Sequence, residues 1–175
     1  MTEKRKLERE SVGAWLVTCN PEDVYDPTDD ADARVHVFSW SLHGNYRTEL
    51  VQPGDDIVLW VGGAERGGHT PGIWAYGFVA GDVFEGEGNP EEWIDQKRAS
   101  ARRPYVPMMM TWLEPPLPKR QLQKHPLLAS IEVLRMPRMA NPSFLSPEEA
   151  DGVFGLMEDV YSAPVRQRRP GEFVA

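Results

Sequence analysis

The strongest indications of the fold of this 175-residue chain lie in Val35–Val79, VHVFSWSLHGNYRTELVQPGDDIVLWVGGAERGGHTPGIWAYGFV. Its two most apolar segments, Asp56–Val61 and Gly72–Val79, have the length and composition of buried strands, and a glycine-rich loop connects them as a hairpin. Gln52-Pro53-Gly54-Asp55 precedes the first of these strands and predicts a type II turn, with Pro at the second position and Gly at the third. Arg34–Phe38 predicts a further strand upstream, because Val35 and Val37 would share one face.

The rest of the chain supplies more short strands and few helices. Strands are expected at Ala14–Thr18 and at Tyr105–Leu113, the latter ended by Pro115, Pro116 and Pro118, and Ile131–Leu134 is a candidate sixth. Short helices or helical turns are expected over 20–23, 45–50, 89–97 and 119–125, and a longer helix runs from the capping box that begins at Ser146 to Tyr161. This order predicts the α+β class: a small mixed β-barrel of five to six strands with short peripheral helices.

Composition and charge limit the possible functions. The net charge is −8, and because residues 1–11 contribute +1 and residues 164–175 contribute +2, the body 12–163 carries −11. Such an acidic body argues against non-specific binding to a polyanion but allows a nucleic acid to be recognised at one local site. Cys19 is the only cysteine, so neither an intramolecular disulfide nor a cysteine-based metal site can form.

The expected organisation is a mobile polar arm over 1–11, one domain over 12–161 and a Pro/Arg-rich tail over 162–175. No apolar run approaches the roughly 20 residues of a membrane span, and the N-terminus lacks the apolar core of a secretory signal. These features predict a cytoplasmic protein without a membrane partner.

Several short motifs resemble, in order, those of the EVE domain, a member of the PUA-like superfamily that also includes the YTH and ASCH domains. The motifs are Trp15-Leu16-Val17-Thr18-Cys19-Asn20-Pro21, then Trp40 with Asn45-Tyr46-Arg47, then Gly54-Asp55-Asp56-Ile57-Val58-Leu59-Trp60, then Gly72–Val79, and a late segment ending in Ser146-Pro147-Glu148-Glu149. The resemblance covers about residues 13–160 and implies a PUA-like barrel.

The resemblance also implies a function, which is to hold a modified (for example methylated) base, or a base flipped out of a duplex, in an aromatic pocket. Rings suit this task because base–aromatic stacking contributes about 1–3 kcal/mol per base. The implied pocket residues are Trp15, Thr18, Cys19, Asn20, Trp40, Ser41, Asn45 and Trp74, with Tyr105 or Trp112 at the rim. Trp15 and Trp40 would be walls, whereas Thr18, Asn45 and the backbone at 19–20 would bond the base edge. Candidate phosphate contacts are Arg47, Lys97, Arg98, Arg102 and Arg103. The partner would be modified DNA or RNA, or a modified nucleotide, and no cofactor is called for.

Other interpretations remain open. Trp60 and Trp74 lie in apolar strands, where a tryptophan ordinarily fills the core. Catalysis has little support, because no histidine has the i, i+4 partner of a metal site and Cys19 has no identifiable base. One alternative is nevertheless a small-molecule enzyme on the same barrel that uses Cys19 or Asp56. Another is a regulatory domain that binds a protein through the helix near 147–161 and the tail. The sequence leaves the ligand and the oligomeric state open.

Overall fold

A curled, mixed β-sheet of seven strands forms the centre of the molecule. The structure is a computed structural model and describes residues 6–21, 37–65, 69–138 and 141–162. The strands are β1 (Ala14–Cys19), β2 (Ser39–Ser41), β3 (Asp56–Val61), β4 (Gly72–Val79), β5 (Phe84–Gly86), β6 (Arg103–Pro118) and β7 (Ser143–Leu145). The α-helices in the described part of the chain are α1 (Gln96–Ala99), α2 (Lys119–Lys124), α3 (Glu132–Arg135) and α4 (Pro147–Tyr161). Single 3-10 turns lie at Arg9–Ser11, Thr48–Leu50, Pro90–Glu92 and Leu128–Ser130.

The strand order is β2-β6-β4-β3-β1-β7, and β5 pairs with the start of β6 on the edge opposite β2. The β1–β3 pair is parallel, and the other strand pairs in this sheet are antiparallel. Parallel pairing brings the carboxyl ends of β1 and β3 to the same edge of the sheet. That edge holds the candidate site described below.

Each face of the sheet has its own apolar core, because side chains alternate along β1 and β3. Leu16 and Val58 lie in the core that is shared with the buried side of α4. Trp15, Ile57 and Leu59 lie in the second core, inside the curl of the sheet. β3 is therefore buried on both faces, which explains its almost uninterrupted apolar sequence.

The two edges of the curled sheet meet around Asn141. The backbone N–H of His43, just after β2, donates to the Asn141 carbonyl over 2.7 Å. The Asn141 side chain donates to the Ser41 carbonyl over 2.9 Å, and its oxygen accepts from the Thr18 N–H over 3.3 Å. These bonds connect β2 to β1, so the sheet closes partly into a barrel.

The strands at Asp56–Val61 and Gly72–Val79 are confirmed, as are the Gln52–Asp55 turn and the Ser146 capping box. Gly54 has a φ of +88°, which a type II turn requires at its third position. The long helix ends at Tyr161 as predicted, and Val153, Phe154 and Met157 on its buried face contribute to the core.

Two predictions about the second half of the chain were wrong. The strand expected to end before Pro115 continues to Pro118, because Leu117 and Pro118 pair again with β4 after an irregularity that takes up the intervening prolines. The candidate strand Ile131–Leu134 is instead the helical segment that includes α3, and it buries Ile131 and Val133 against the α4 side of the sheet.

Three further differences concern the N-terminal third. β2 lies at Ser39–Ser41, after the predicted strand Arg34–Phe38, of which residues 34–36 lie outside the described residues. The helical turn expected over 20–23 also falls largely outside them. In the arm that was expected to be mobile, the backbone N–H of Leu7 donates to the Tyr46 hydroxyl, and the Arg9 guanidinium pairs with Asp55. Residues 6–11 thus pack against the domain.

Candidate ligand cleft at the ends of two parallel strands

A cleft of about 320 Å³ opens where β1 and β3 end side by side. Thr18 is in register with Trp60 and Cys19 with Val61, and the Gly62 N–H donates to the Cys19 carbonyl over 2.9 Å. The two chain segments therefore leave the sheet together and diverge around the cleft. The lining residues are Thr18, Cys19, Asn20, Trp60, Gly62, Gly63, Pro71, Lys119, Val133 and Pro137.

Trp60 provides the aromatic part of this lining. The pairing of β3 with β4 shifts between Leu59 and Trp60, which is the kind of irregularity that re-aims a side chain. The indole is 5% exposed and packs into the core on the α4 side of the sheet. Gly63 follows with a φ of +100°, which favours glycine, and His69 Nε2 lies 2.8 Å from the Gly62 carbonyl oxygen. This contact holds the start of the glycine-rich loop against the cleft.

The opposite wall comes from the segment between β6 and β7, and this wall is basic. Lys119 lies at the start of α2, and Val133 and Pro137 follow on and just after α3. From 119 to 138 the chain carries five basic residues and one acidic residue, Glu132. In a chain of net charge −8, this segment is rich in positive charge, and Lys119 is its charged residue in the lining of the cleft.

A buried ion pair fixes α3 and thereby the basic wall. Arg47 donates to both carboxylate oxygens of Glu132 over 2.8 and 2.9 Å, and the Ser143 hydroxyl donates to the same carboxylate over 2.5 Å. Burial alone would raise the pKa of Glu132, but the hydrogen bonds from Arg47 and Ser143 outweigh it, so the pKa of that carboxyl is lowered. The carboxylate is therefore ionised and connects α3 to β7 and to the turn that carries Arg47.

A second network fixes Thr18 from behind. The Trp40 indole N–H donates to the Thr18 carbonyl over 3.0 Å, while Asn141 accepts from the Thr18 N–H. His43 Nδ1 accepts from the backbone N–H of Asn141 over 3.0 Å, so that nitrogen is unprotonated in this arrangement. The pKa of His43 is lowered by burial and then by the nearby Arg103 and Arg98 charges, which favours the neutral form.

Of the ten pocket residues predicted from the sequence, Thr18, Cys19 and Asn20 line the cleft. Trp40 and Ser41 do not line the cleft. The Trp40 indole N–H donates to the carbonyl of Thr18, which does, and the Ser41 carbonyl accepts from the side chain of Asn141. The side chain of Asn45 accepts from the Arg47 N–H over 2.9 Å and so stabilises its own turn.

The structure does not support the predicted role of Trp15 as a pocket wall. The indole of Trp15 is 0% exposed, and its N–H donates to the Asp55 carboxylate over 2.8 Å. Trp74 is also buried, with its N–H donating to the Thr70 carbonyl over 2.8 Å. Both side chains point into the core inside the curl of the sheet because of strand parity, so neither has a free ring face for a ligand.

The predicted rim residues do not line the cleft. Tyr105 is buried and lies beside Phe84 of β5, with ring centroids 5.8 Å apart. Trp112 is partly buried against the core inside the curl. Cys19 and Asp56, the residues of the alternative enzyme, occupy opposite ends of the paired strands β1 and β3.

Among the predicted phosphate contacts, Arg47 is the one that the structure contradicts, because its guanidinium is committed to Glu132 and its side chain is only 13% exposed. Arg103 lies over the Trp93 ring at 4.9 Å and donates to the Arg98 carbonyl. Lys97, Arg98 and Arg102 are exposed on and just after α1. Arg98 forms an ion pair with Asp95 at 3.7 Å.

Sequence reasoning missed most of the cleft: Trp60, Gly62, Gly63, Pro71, Lys119, Val133 and Pro137. Trp60 was expected to fill the core. It lies in the core, and its small exposed edge meets the cleft. Of the other lining residues, only Gly62 and Gly63 had a local signal in the sequence, because a glycine pair directly follows an apolar strand. The parallel pairing of β1 with β3, which brings Thr18 to Trp60, leaves no local signature in the sequence.

The similarity of this chain to known proteins is detectable in the structure and not in the sequence. No protein-family model matches the chain, and no curated protein matches it either. A hypothetical protein from Leishmania major aligns at 14% identity over 88% of this chain and 99% of its own, with a TM-score of 0.58. Human THYN1, solved in complex with 5-methylcytosine-containing DNA, aligns at 16% identity over 83% of this chain and 97% of its own, with a TM-score of 0.56. The DUF55 domain of human thymocyte nuclear protein 1 gives 16% identity, 83% and 98% coverage and a TM-score of 0.53.

This chain shares the fold of these structures, a PUA-like α+β fold built on a curled mixed sheet. The fold extends over most of the chain, which agrees with the order of the sequence motifs. In this domain the Trp15–Pro21 motif forms β1 and reaches the cleft, and the Gly54–Trp60 motif forms the turn and strand beside it.

The described residues contain neither a metal-binding cluster nor a membrane-spanning helix. In that part of the chain, no group of three or more His, Cys, Asp or Glu side chains is placed to hold a metal ion. No helix within the same ranges is both long and apolar enough to cross a membrane.

Proposed function

We propose that this domain binds nucleic acid and takes a modified base, such as a methylated cytosine, into the cleft at the ends of β1 and β3. The observation that carries the proposal is the composition of the cleft. An indole edge, polar groups at Thr18 and Asn20 and a lysine meet around one cavity. THYN1, which shares the fold, was solved with 5-methylcytosine-containing DNA, and this supports the choice of ligand.

The dimensions of the cleft suit one planar heterocycle. Its volume of about 320 Å³ lies at the lower end of the range for small-molecule sites, roughly 300–1,000 Å³. Thr18 and Asn20 offer hydrogen-bonding groups for a base edge, and Pro71, Pro137 and the exposed edge of the Trp60 indole offer apolar contact for a methyl group. Burying one methyl group contributes about 0.8 kcal/mol, which corresponds to a preference of about fourfold over the unmodified base.

Charge favours a local contact over a broad one. The acidic body repels a polyanion, so attraction must come from the basic wall at 119–138, on which Lys119 lines the cleft itself. We therefore expect modest affinity with a shallow dependence on salt, because few phosphates would be contacted. Lys97, Arg98 and Arg102 remain proposed phosphate contacts on a second surface, where Glu91, Glu92 and Asp95 offset their charge.

The test measures anisotropy of labelled duplexes that carry one 5-methylcytosine or one cytosine at the same position. The wild type should prefer the methylated duplex by about fourfold. Gly62→Leu should block the cleft, because a Cβ at that position lies 3.7–3.8 Å from its nearest neighbours, the Cys19 carbonyl oxygen and Trp60 Nε1. That is ordinary van der Waals contact, so the fold should tolerate the change. We expect binding to fall at least tenfold.

Two matched variants control the experiment. Gly155→Leu makes the same change on α4, where a Cβ meets nothing within 4 Å, and it should leave binding unchanged. Lys119→Gln should weaken both duplexes, whereas Lys6→Gln removes an equal charge from a residue that lies over Tyr46 and should have little effect. Equal affinity for the two duplexes in the wild type, or wild-type binding by a folded Gly62→Leu variant, would refute the proposal.

A further inference from the structure

A smaller notch of about 80 Å³ adjoins the cleft and shares Pro71 and Lys119 with it. The notch is lined by Glu65, Thr70, Pro71, Pro118, Lys119, Arg120 and Gln123. The backbone there is fixed, because the Lys119 N–H donates to the Pro71 carbonyl over 2.8 Å and the Trp74 indole donates to the Thr70 carbonyl. The notch is therefore a defined extension of the cleft along its basic wall.

The side chains of the notch are suited to a phosphate oxygen. Lys119, Arg120, Gln123 and the Thr70 hydroxyl can all donate hydrogen bonds. Glu65 is the one carboxylate in the lining, and it forms an ion pair with Arg120 at 3.3 Å. Both of these side chains are 65% exposed, and exposed pairs of this kind are weak and easily exchanged.

We propose that the notch is a phosphodiester subsite, in which a phosphate next to the bound base displaces Glu65 from Arg120. This inference rests on the proposed function, because the nucleotide enters through the shared wall at Lys119. Arginine presents parallel N–H donors to phosphate oxygens, and it gains more from a phosphate than from a solvated carboxylate. Glu65 then competes with the nucleic acid for one cation and lowers its affinity.

Because Glu65 competes with the nucleic acid for Arg120, we expect that neutralising Glu65 improves binding. Glu65→Gln should tighten binding of the duplexes described above about two- to fivefold, which is the range of an exposed ion pair. Arg120→Gln should weaken binding and reduce the slope of log K against log salt by about 0.9, the value for one phosphate contact on duplex DNA.

A double variant separates this mechanism from a simple change in net charge. In the Arg120→Gln background, Glu65→Gln should give no further gain, because the carboxylate no longer has a cation to withhold. Glu85→Gln, which removes an equal charge from an exposed position on β5, should change affinity much less than Glu65→Gln. The thermal midpoint of each variant should stay near that of the wild type, since both members of the pair are exposed.

The outcomes distinguish the two proposals. DNA binding that is blocked by Gly62→Leu but unaffected by Glu65→Gln and Arg120→Gln would overturn the subsite and leave the cleft proposal intact. An equal gain from Glu65→Gln with or without Arg120 would also overturn it. Absence of binding by the wild type would refute the proposed function, and this inference with it.

Discussion

Replacing Arg47 by Met tests how the basic wall of the cleft is held in place. The substitution keeps the length and apolar stem of the side chain but removes the charge that faces Glu132. Glu132 and Arg47 have side chains that are 9% and 13% exposed, so water cannot replace the lost guanidinium efficiently. The Ser143 hydroxyl would be the one remaining side chain that donates to the carboxylate among those in the described residues.

The size of the effect follows from this burial. Removing one member of a buried ion pair costs about 3–5 kcal/mol, because the other charge stays desolvated and unpaired. We take the lower end, since Ser143 still donates a hydrogen bond, and expect unfolding free energy to fall by about 3 kcal/mol. For a chain of this size, that loss lowers the melting temperature by about 6–12 °C.

The pH dependence gives a second, independent readout. In the wild type the folded-state pKa of Glu132 is lowered, so the pair stabilises the fold above the unfolded pKa of the carboxyl, and this stability is lost as pH falls through the folded pKa. In Arg47→Met the buried carboxyl lacks its cation, and its pKa should rise above the unfolded value. The variant should therefore regain stability relative to the wild type as pH falls from 7 towards 5.

Thermal and urea unfolding across this pH range measure both effects. Arg120→Met is the matched control, because it breaks an ion pair of which each side chain is 65% exposed and should cost less than about 1 kcal/mol. Glu132→Leu added to Arg47→Met should recover part of the loss, although Ser143 then lacks its acceptor. If Arg47→Met costs no more than Arg120→Met, or if the stability difference is independent of pH, the argument from the buried pair is wrong.

Two further predictions concern the barrel. NMR titration of the His43 ring should give a pKa below its ordinary value of 6.5, and Arg103→Gln should move it upward, because burial and then the Arg103 charge hold the pKa down. His43 should accordingly reduce the stability of the fold as pH falls below about 6.5, and titration at or above that value would contradict this account. Gly77→Ala should prevent or severely weaken folding, because its Cβ would lie 1.7 Å from the Met109 carbonyl oxygen, whereas Gly155→Ala on α4 should stabilise by about 0.5–1 kcal/mol. Chemical denaturation of the two variants checks the contrast, and similar behaviour would show that the β4–β6 spacing is not what requires glycine at position 77.

The elements that could be predicted from the sequence are those whose signals are local. Asp56–Val61 and Gly72–Val79 are apolar runs bounded by glycine and turn residues, and the structure gives them the predicted limits. The Ser146 cap and its Glu149 partner lie within one helical turn of each other. In contrast, β6 continues through Pro115 and Pro116 only because β4 offers pairing partners on both sides of the irregularity, and nothing near Pro115 in the sequence indicates this.

The candidate site was harder to predict because it depends on which strands are neighbours. Trp15 and Trp60 both lie in apolar strands, and composition does not distinguish them. The parallel register places Thr18 beside Trp60, and alternation then directs Trp15 to the core inside the curl and Trp60 to the face that meets the cleft. The predicted residues Thr18, Cys19 and Asn20 line the cleft, whereas the tryptophan beside them is Trp60 and not the predicted Trp15.

Two buried tryptophans, Trp40 and Trp74, fix backbone segments at the edge of the cleft and of the notch. Trp40 donates its indole N–H to the Thr18 carbonyl and Trp74 donates to the Thr70 carbonyl, so each spans from the core to a backbone segment at the edge of the site. A buried indole needs an acceptor for this N–H, and the carbonyl that accepts is fixed in return. Thr18 lines the cleft and Thr70 lines the notch. Trp40 and Trp74 therefore help to fix the shape of the cleft and the notch, and the lining of the cleft consists of one indole edge, a few polar residues, glycines and prolines, and Lys119.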